Sequence, residues 1–245
     1  MQIRGTGLRL RVANALHIPG FIPWLRPAGA HRYYVGPAEF YDLVAAGQFN
    51  LLTLLGLRED HTLLDVGCGS LRAGRLFITY LRPGRYHGIE PNRWLVQVGL
   101  RKEVGRSMRR MKRPNFSYDD GFTLTTFGHQ FDFIVAQSIF THAAAGQIGR
   151  CLSESKRVMH AESLFLATFL EGDENYAGSD WSYPDGVYYT RPFMFSLVSE
   201  AGLIARTLSW QQAGGQTWIA IGQPEAEERL ATLDQQLRAH VLDDS

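Results

Sequence analysis

Asp65-Val66-Gly67-Cys68-Gly69-Ser70-Leu71-Arg72-Ala73-Gly74 closes a short apolar run, and Glu90 follows Gly69 by 21 positions. Two glycines at G-x-G spacing let the backbone turn tightly and approach a ligand closely, because no Cβ intrudes. A carboxylate ending the next apolar run can accept hydrogen bonds from both hydroxyls of a ribose. The alternative for Glu90 is a solvated charge ahead of Pro91. A dinucleotide would call for a third glycine at G-x-G-x-x-G, where helix and strand pack closely. That position holds Arg72, which could pair with a phosphate, but Asp65 sits badly beside a pyrophosphate. Asp65 suits a cationic amino-acid headgroup instead. The combination favours S-adenosylmethionine as the cofactor over NAD.

Elements of an α/β fold must position these residues. From residue 61 onward short apolar runs alternate with longer helical stretches, the pattern of a largely parallel sheet. Strands are expected at 61–67, 85–91, 115–120, 131–139 and 163–170, with helices at 72–81, 93–110, 147–160 and 192–202. Gly202 then supplies a favoured helix terminator. The last two strands, 203–210 and 217–223, leave no room for a crossover helix, so the final strand must run antiparallel to its neighbour. The expectation is a Rossmann-like, mostly parallel seven-stranded sheet with an antiparallel last strand and helices on both faces. Residues 1–60 form an N-terminal helical cap, 61–223 the cofactor-binding domain, and 224–245 a terminal helix packed on it.

LLDVGCGSLRAG, then YHGIEPN, then FDFIVAQSIFTH, with the closing hairpin, resembles the class I S-adenosylmethionine-dependent methyltransferases over about residues 60–223. The extended form resembles a bacterial subgroup of unassigned substrate. The resemblance implies that Asp65 and the backbone of Gly67, Cys68 and Gly69, with Ser70 beside them, hold the methionine part of the cofactor. It puts Glu90 on the ribose, with Pro91 and Asn92 beside the adenosine. Asp119 or Asp120 matches the acid that binds the adenine amino group, and either could instead cap a turn. Gln137 and Ser138 match the position beneath the reactive sulfonium.

His142, just past the fourth strand, is the candidate catalytic residue, since an imidazole can take a proton from a hydroxyl or ammonium as methyl transfer develops. It could equally only orient the acceptor, or pack or cap a helix. No second His or Cys stands near it at ligand spacing, so no metal is expected. The insertion 171–192 carries Tyr176, Trp181, Tyr183, Tyr188 and Tyr189 among Gly, Asp and Pro. Long loops at the carboxyl ends of strands are usually lids or pockets. Trp181, Tyr183 and Tyr188 are therefore candidate acceptor contacts, with Tyr33, Tyr34, Tyr41 or Gln48 of the cap as the opposite wall. These aromatics could instead seal the loop onto the sheet.

Composition narrows the function further. With Lys plus Arg at 25 and Asp plus Glu at 24, the net charge is +1, too small to attract nucleic acid globally. The fourth strand lacks the Asn/Asp-Pro-Pro-aromatic motif of base-amine methyltransferases, having Ala136-Gln137-Ser138-Ile139-Phe140 there. The basic run 101–113 is read as a solvated helix face, with phosphate contact by Arg109, Arg110 and Arg113 as the alternative. Two cysteines, Cys68 and Cys151, fit a reducing cytoplasm, and no apolar run is long enough to span a membrane. The arm 1–27 is basic and apolar but broken by Pro19, Pro23 and Pro27. It is read as a loosely helical arm on the domain that could touch a membrane surface weakly. The favoured function is methyl transfer to an O or N atom of a small or medium-sized metabolite. The rivals are a methyltransferase of RNA or protein, a non-catalytic S-adenosylmethionine-binding partner subunit, and, more distantly, an NAD-dependent oxidoreductase.

Overall fold

The computed structural model describes residues 29–211 and 214–240. The expected N-terminal arm and the last residues of the chain lie outside them. Strands are β1 Leu63–Val66, β2 Tyr86–Ile89, β3 Asn115–Ser117, β4 Phe131–Ala136, β5 Met159–Glu171, β6 Tyr188–Tyr189, β7 Ile204–Leu208 and β8 Thr217–Gly222. Their order is β3-β2-β1-β4-β5-β8-β7, with the two-residue β6 paired to the end of β5. β1 to β5 are parallel, whereas β8 runs antiparallel to both β5 and β7. The seven principal strands and the antiparallel last strand match the sequence reading; the place of β8 between β5 and β7, and β6, are additions.

Period-two alternation distributes side chains to two cores, one on each face of the sheet. Leu63, Phe133, Val135, Leu164 and Leu166 face one core. Leu64, Ile134, Ala136, Phe165 and Ala167 face the other. The first face is covered by α2 (Tyr41–Leu54), α3 (Gly74–Tyr80), α4 (Arg93–Gly99) and α8 (Glu227–His240), through residues such as Leu51, Phe77, Val96 and Leu233. The second is covered by α6 (Ala145–Arg157) and α7 (Arg191–Glu200), through Ile148, Cys151, Leu152, Met194 and Val198. On α6 these apolar positions recur at helical spacing, while the rest of the helix is polar. α7 starts where the Thr190 hydroxyl accepts the Phe193 N–H at 3.3 Å, and Pro192 sits in the first turn, where its missing donor costs nothing.

The expected helix 93–110 is interrupted. α4 passes into a π-turn at Leu100–Val104, and α5 (Arg106–Lys112) begins only after Gly105. The interruption turns the Glu103 side chain inward, leaving it 5% exposed. Its oxygens accept from His31 at 2.8 Å, from Arg32 twice at 3.0 Å and from Arg75 at 3.1 Å. The one acid of the basic run therefore ties α1 (Ala30–Tyr33) of the cap to the domain. Arg109, Arg110 and Arg113 stay exposed. α5 leads into the amino end of β3, so these cations lie at the edge opposite the carboxyl ends of the strands.

Candidate active site

Beyond β1 the chain turns through Gly67 and Gly69, at φ 72° and 53°. The Gly67 and Cys68 N–H groups donate to Ile89 O at 2.8 and 3.1 Å, which ties the turn to the end of β2. Gly69 N–H donates to Glu90 Oε2 at 3.0 Å, and Asn92 N–H to Glu90 Oε1 at 2.8 Å. Glu90 thus bridges the glycine turn and the start of the next helix. Burial raises its pKa, and these two N–H donors oppose the rise. A Cβ at Gly67 would come within 2.0 Å of Ile139, and one at Gly69 within 2.6 Å of Val35. Glycine is required because these side chains lie directly on the turn.

Beneath the turn sit buried groups. Asp65 is buried and accepts the Tyr86 hydroxyl at 2.7 Å; burial pushes its pKa up to about 6. The Cys68 thiol lies against Gly88, and burial drives its pKa well up, so it is inert packing. Ser70 is fully buried, its hydroxyl 3.2 Å from that of Tyr41. Tyr41 itself is fully buried, with Arg32 and Arg75 stacked on its ring. This corrects the expectation that Tyr41 contacts an acceptor: it anchors α2 to the back of the turn. Gln48 is likewise buried, and Tyr33 is exposed.

At the end of β3 the two acids separate. Asp119 accepts from Gly121 N–H at 3.0 Å, Thr123 N–H at 2.7 Å and the Thr123 hydroxyl at 3.0 Å. It caps the turn, and Asp120 is exposed beside it. β4 stops at Ala136, three residues before the expected end, because Ser138 takes a left-handed conformation at φ 60°. Thr168 of β5 accepts the Ser138 N–H at 2.7 Å, and Gln216 meets the Ser138 hydroxyl at 2.8 Å. Gln137 accepts from Arg72 at 3.0 Å.

The insertion after β5 folds back over the loop 137–144. Val187 N–H donates to Thr141 O and Ser182 N–H to His142 O, both at 2.8 Å. The Tyr189 hydroxyl donates to Ala143 O at 2.9 Å. His142 Nδ1 lies 3.0 Å from Ser182 O and 3.1 Å from Asp185 O, and its ring packs against those of Trp181 and Tyr183. The Tyr183 hydroxyl donates to Tyr34 O of the cap at 2.6 Å. Burial raises the Tyr183 pKa, and its ring lies near enough to Arg72 and Glu90 to feel their charges. Tyr183 thus stands between the glycine turn and His142. Tyr188 is exposed and packs on Gly172, at the outer edge of the insertion.

No protein-family model matches the chain. Solved structures do. A magnesium protoporphyrin IX methyltransferase from Synechocystis PCC 6803, crystallised with S-adenosylmethionine, aligns over 87% of this chain and 95% of its own, at 14% identity and TM-score 0.57. An S-adenosylmethionine-dependent methyltransferase from Clostridium acetobutylicum covers 75% of this chain and 92% of its own, at 9% identity and TM-score 0.55. A glycopeptide N-methyltransferase covers 76% and 92%, at 9% identity and TM-score 0.57. The chain has the class I methyltransferase fold.

In a class I methyltransferase fold, the glycine turn, Glu90, Asp119–Asp120 and Gln137–Ser138 all fall at the carboxyl ends of parallel strands, the edge where open α/β sheets bind ligands. The structure brings these residues, singled out from the sequence, to one edge of the sheet. Sequence reasoning missed Val35, Ile139, Thr168 and Gln216, which touch the turn or Ser138. Their contacts join positions 30 to 78 apart in the chain, and no local motif marks them.

Proposed function

We propose that the protein is an S-adenosylmethionine-dependent methyltransferase acting on an O or N atom of a small or medium-sized metabolite. The observation that carries the reading is the Glu90 carboxylate bonded to the glycine turn at the carboxyl end of β1, in this fold. Each Glu90 oxygen accepts one N–H and retains acceptor capacity for a ribose hydroxyl. The turn would carry the methionine part, Pro91 and Asn92 would flank the adenosine, and Asp120 is the acid left for the adenine amino group. When bound, S-adenosylmethionine supplies an electrophilic methyl group on its sulfonium. Gln137 and Ser138, fixed by Arg72, Thr168 and Gln216, would form the floor under it. His142 Nε2 is the group available to take the acceptor's proton.

The acceptor class is inferred from the roof and from the charge distribution. An aromatic insertion bonded to both the loop 137–144 and the cap suits a small enclosed acceptor. The exposed arginines of α5, which a nucleic acid would need, stand at the opposite edge. Structural neighbours named for porphyrin and glycopeptide substrates agree with a metabolite acceptor. No helix among the described residues is long and apolar enough to cross a membrane. A cytoplasmic enzyme is the matching location.

Trp181 tests the roof. It is 43% exposed and its ring packs against His142, so Trp181→Ala should leave thermal stability nearly unchanged. The acceptor KM should rise about tenfold at constant S-adenosylmethionine affinity. Parallel losses of stability and cofactor affinity would make the ring core packing.

A second reading has one observation in its favour. Val35 and Ile139 lie on the glycine turn where a ligand would rest, as in a binding subunit without turnover. A screen with S-adenosylmethionine and panels of phenols, carboxylic acids, amines, RNA and protein, read as S-adenosylhomocysteine release, separates the readings. Release with a small acceptor supports the enzyme. Release only with RNA or protein moves the substrate class, and none with any panel favours the binding subunit.

A further inference from the structure

Arg72 differs from the half-buried Arg32 and Arg75, although Arg229 too bonds only to backbone carbonyls. Arg32 and Arg75 meet Glu103 and Asp42, and the more exposed Arg82, Arg157, Arg191 and Arg206 each meet a carboxylate. Arg72 is densely surrounded, enough for burial to lower its pKa to about 10, yet its bonds go to neutral oxygens. One nitrogen donates to Val35 O at 2.5 Å and the other to Gln137 Oε1 at 3.0 Å. Among the described residues no carboxylate lies within ion-pair distance of it. Asp65 acts on it only through space and is bonded to Tyr86. A desolvated cation without a counter-charge is costly, and an anionic ligand would relieve that cost.

The surroundings select the anion. Arg72 stands one turn past Gly69, with Gly36 of the cap 3.3 Å away at its would-be Cβ and Tyr183 of the insertion nearby. It therefore borders the glycine turn, the end of β4 and the roof together. Asp65 acts on Arg72 and Glu90 lies near Asp65, so a phosphate dianion would meet negative charge, whereas a carboxylate brings only one charge. A planar carboxylate also matches the guanidinium fork.

We propose that Arg72 is a carboxylate receptor, taking either the carboxylate of the cofactor's amino-acid tail or one carried by the acceptor. The arriving carboxylate replaces the Val35 carbonyl on the guanidinium, which loosens the cap segment from the turn that Val35 covers. The inference rests on the methyltransferase reading above and adds to it a function for the residue that stands where a dinucleotide site has glycine.

The test is calorimetric titration of the full chain with S-adenosylhomocysteine and with its carboxamide, in the wild type and in Arg72→Gln. If the tail is the source, S-adenosylhomocysteine binds at least about tenfold more tightly than the carboxamide, and Arg72→Gln closes the gap. If the acceptor is the source, the two ligands bind alike, and benzoate binds to wild type saturated with S-adenosylhomocysteine but not to the variant. The wild-type comparisons stand even if the variant fails to fold. Equal binding of the two ligands with no benzoate binding overturns the proposal, as does a gap that survives in Arg72→Gln. Failure of S-adenosylhomocysteine to bind at all would instead overturn the methyltransferase reading, and the proposal with it.

Discussion

Replacing His142 by alanine is expected to lower kcat by at least about 100-fold while S-adenosylmethionine affinity stays near the wild-type value. Both neighbours of Nδ1 are backbone carbonyls, Ser182 O and Asp185 O, and a carbonyl can only accept. Nδ1 therefore carries the hydrogen, and in the neutral ring Nε2 is left with its lone pair. That is the tautomer a general base needs, held by the insertion itself. The same bonds mean that alanine also removes one attachment of the roof. His142→Asn separates the two roles, because its amide can still donate to a carbonyl but takes no proton near neutral pH. Loss of activity in both variants, with S-adenosylmethionine affinity retained, identifies a base. Recovery in the asparagine variant identifies an acceptor-positioning residue, and full activity in the alanine variant leaves proximity as the source of rate.

His87→Gln should change the pH dependence of stability by about 2 kcal/mol between pH 7 and 4.5. His87 is buried on β2, 3.1 Å from His129 and 3.2 Å from the Asn115 amide, beside a cleft of about 430 Å³ at the amino ends of the strands. Burial, then the neighbouring His129, lowers its pKa to about 4. A histidine whose folded pKa lies below its unfolded value contributes no penalty above pH ~6.5 and destabilises progressively as pH falls towards 4. Asp65 works in the opposite direction. Its folded pKa of about 6 exceeds the unfolded value, so protonation on acidification stabilises the fold by roughly 2 kcal/mol over the same interval. The two effects nearly cancel in the wild type, which should hold its Tm across this range as far as these groups decide it. The variant keeps only the Asp65 contribution and should gain several degrees relative to wild type on going to pH 4.5. Parallel Tm profiles would show that His87 titrates in the folded protein as it does in the unfolded chain.

The parts legible in the sequence are those written in local order. The strand–glycine turn–helix unit, Glu90 at the end of β2 and the closing hairpin each follow from spacing within about 30 residues or from an apolar run. Distances in sequence defeated the rest. Arg72 reads locally as a missing glycine, and its meaning comes from Val35 and Gln137, 37 and 65 positions away. Tyr41 looks like a free aromatic of a cap, but α2 packs into the main core and buries the ring on Ser70. The run 131–139 reads as one strand in sequence, yet the left-handed Ser138, fixed by Thr168, ends the strand at Ala136. Asp119 and Asp120 are indistinguishable by type; the Gly121 and Thr123 donors assign the turn to Asp119.

Titration of the full chain with S-adenosylmethionine and, separately, with NAD is the most direct test of the nucleoside site. The acid–glycine turn paired with Glu90, with Arg72 in place of a third glycine, should bind S-adenosylmethionine in the micromolar range, about 7–8 kcal/mol, and NAD negligibly. Glu90→Ala should weaken that binding while the protein stays folded. NAD binding more tightly than S-adenosylmethionine, or an affinity indifferent to Glu90, would contradict the account.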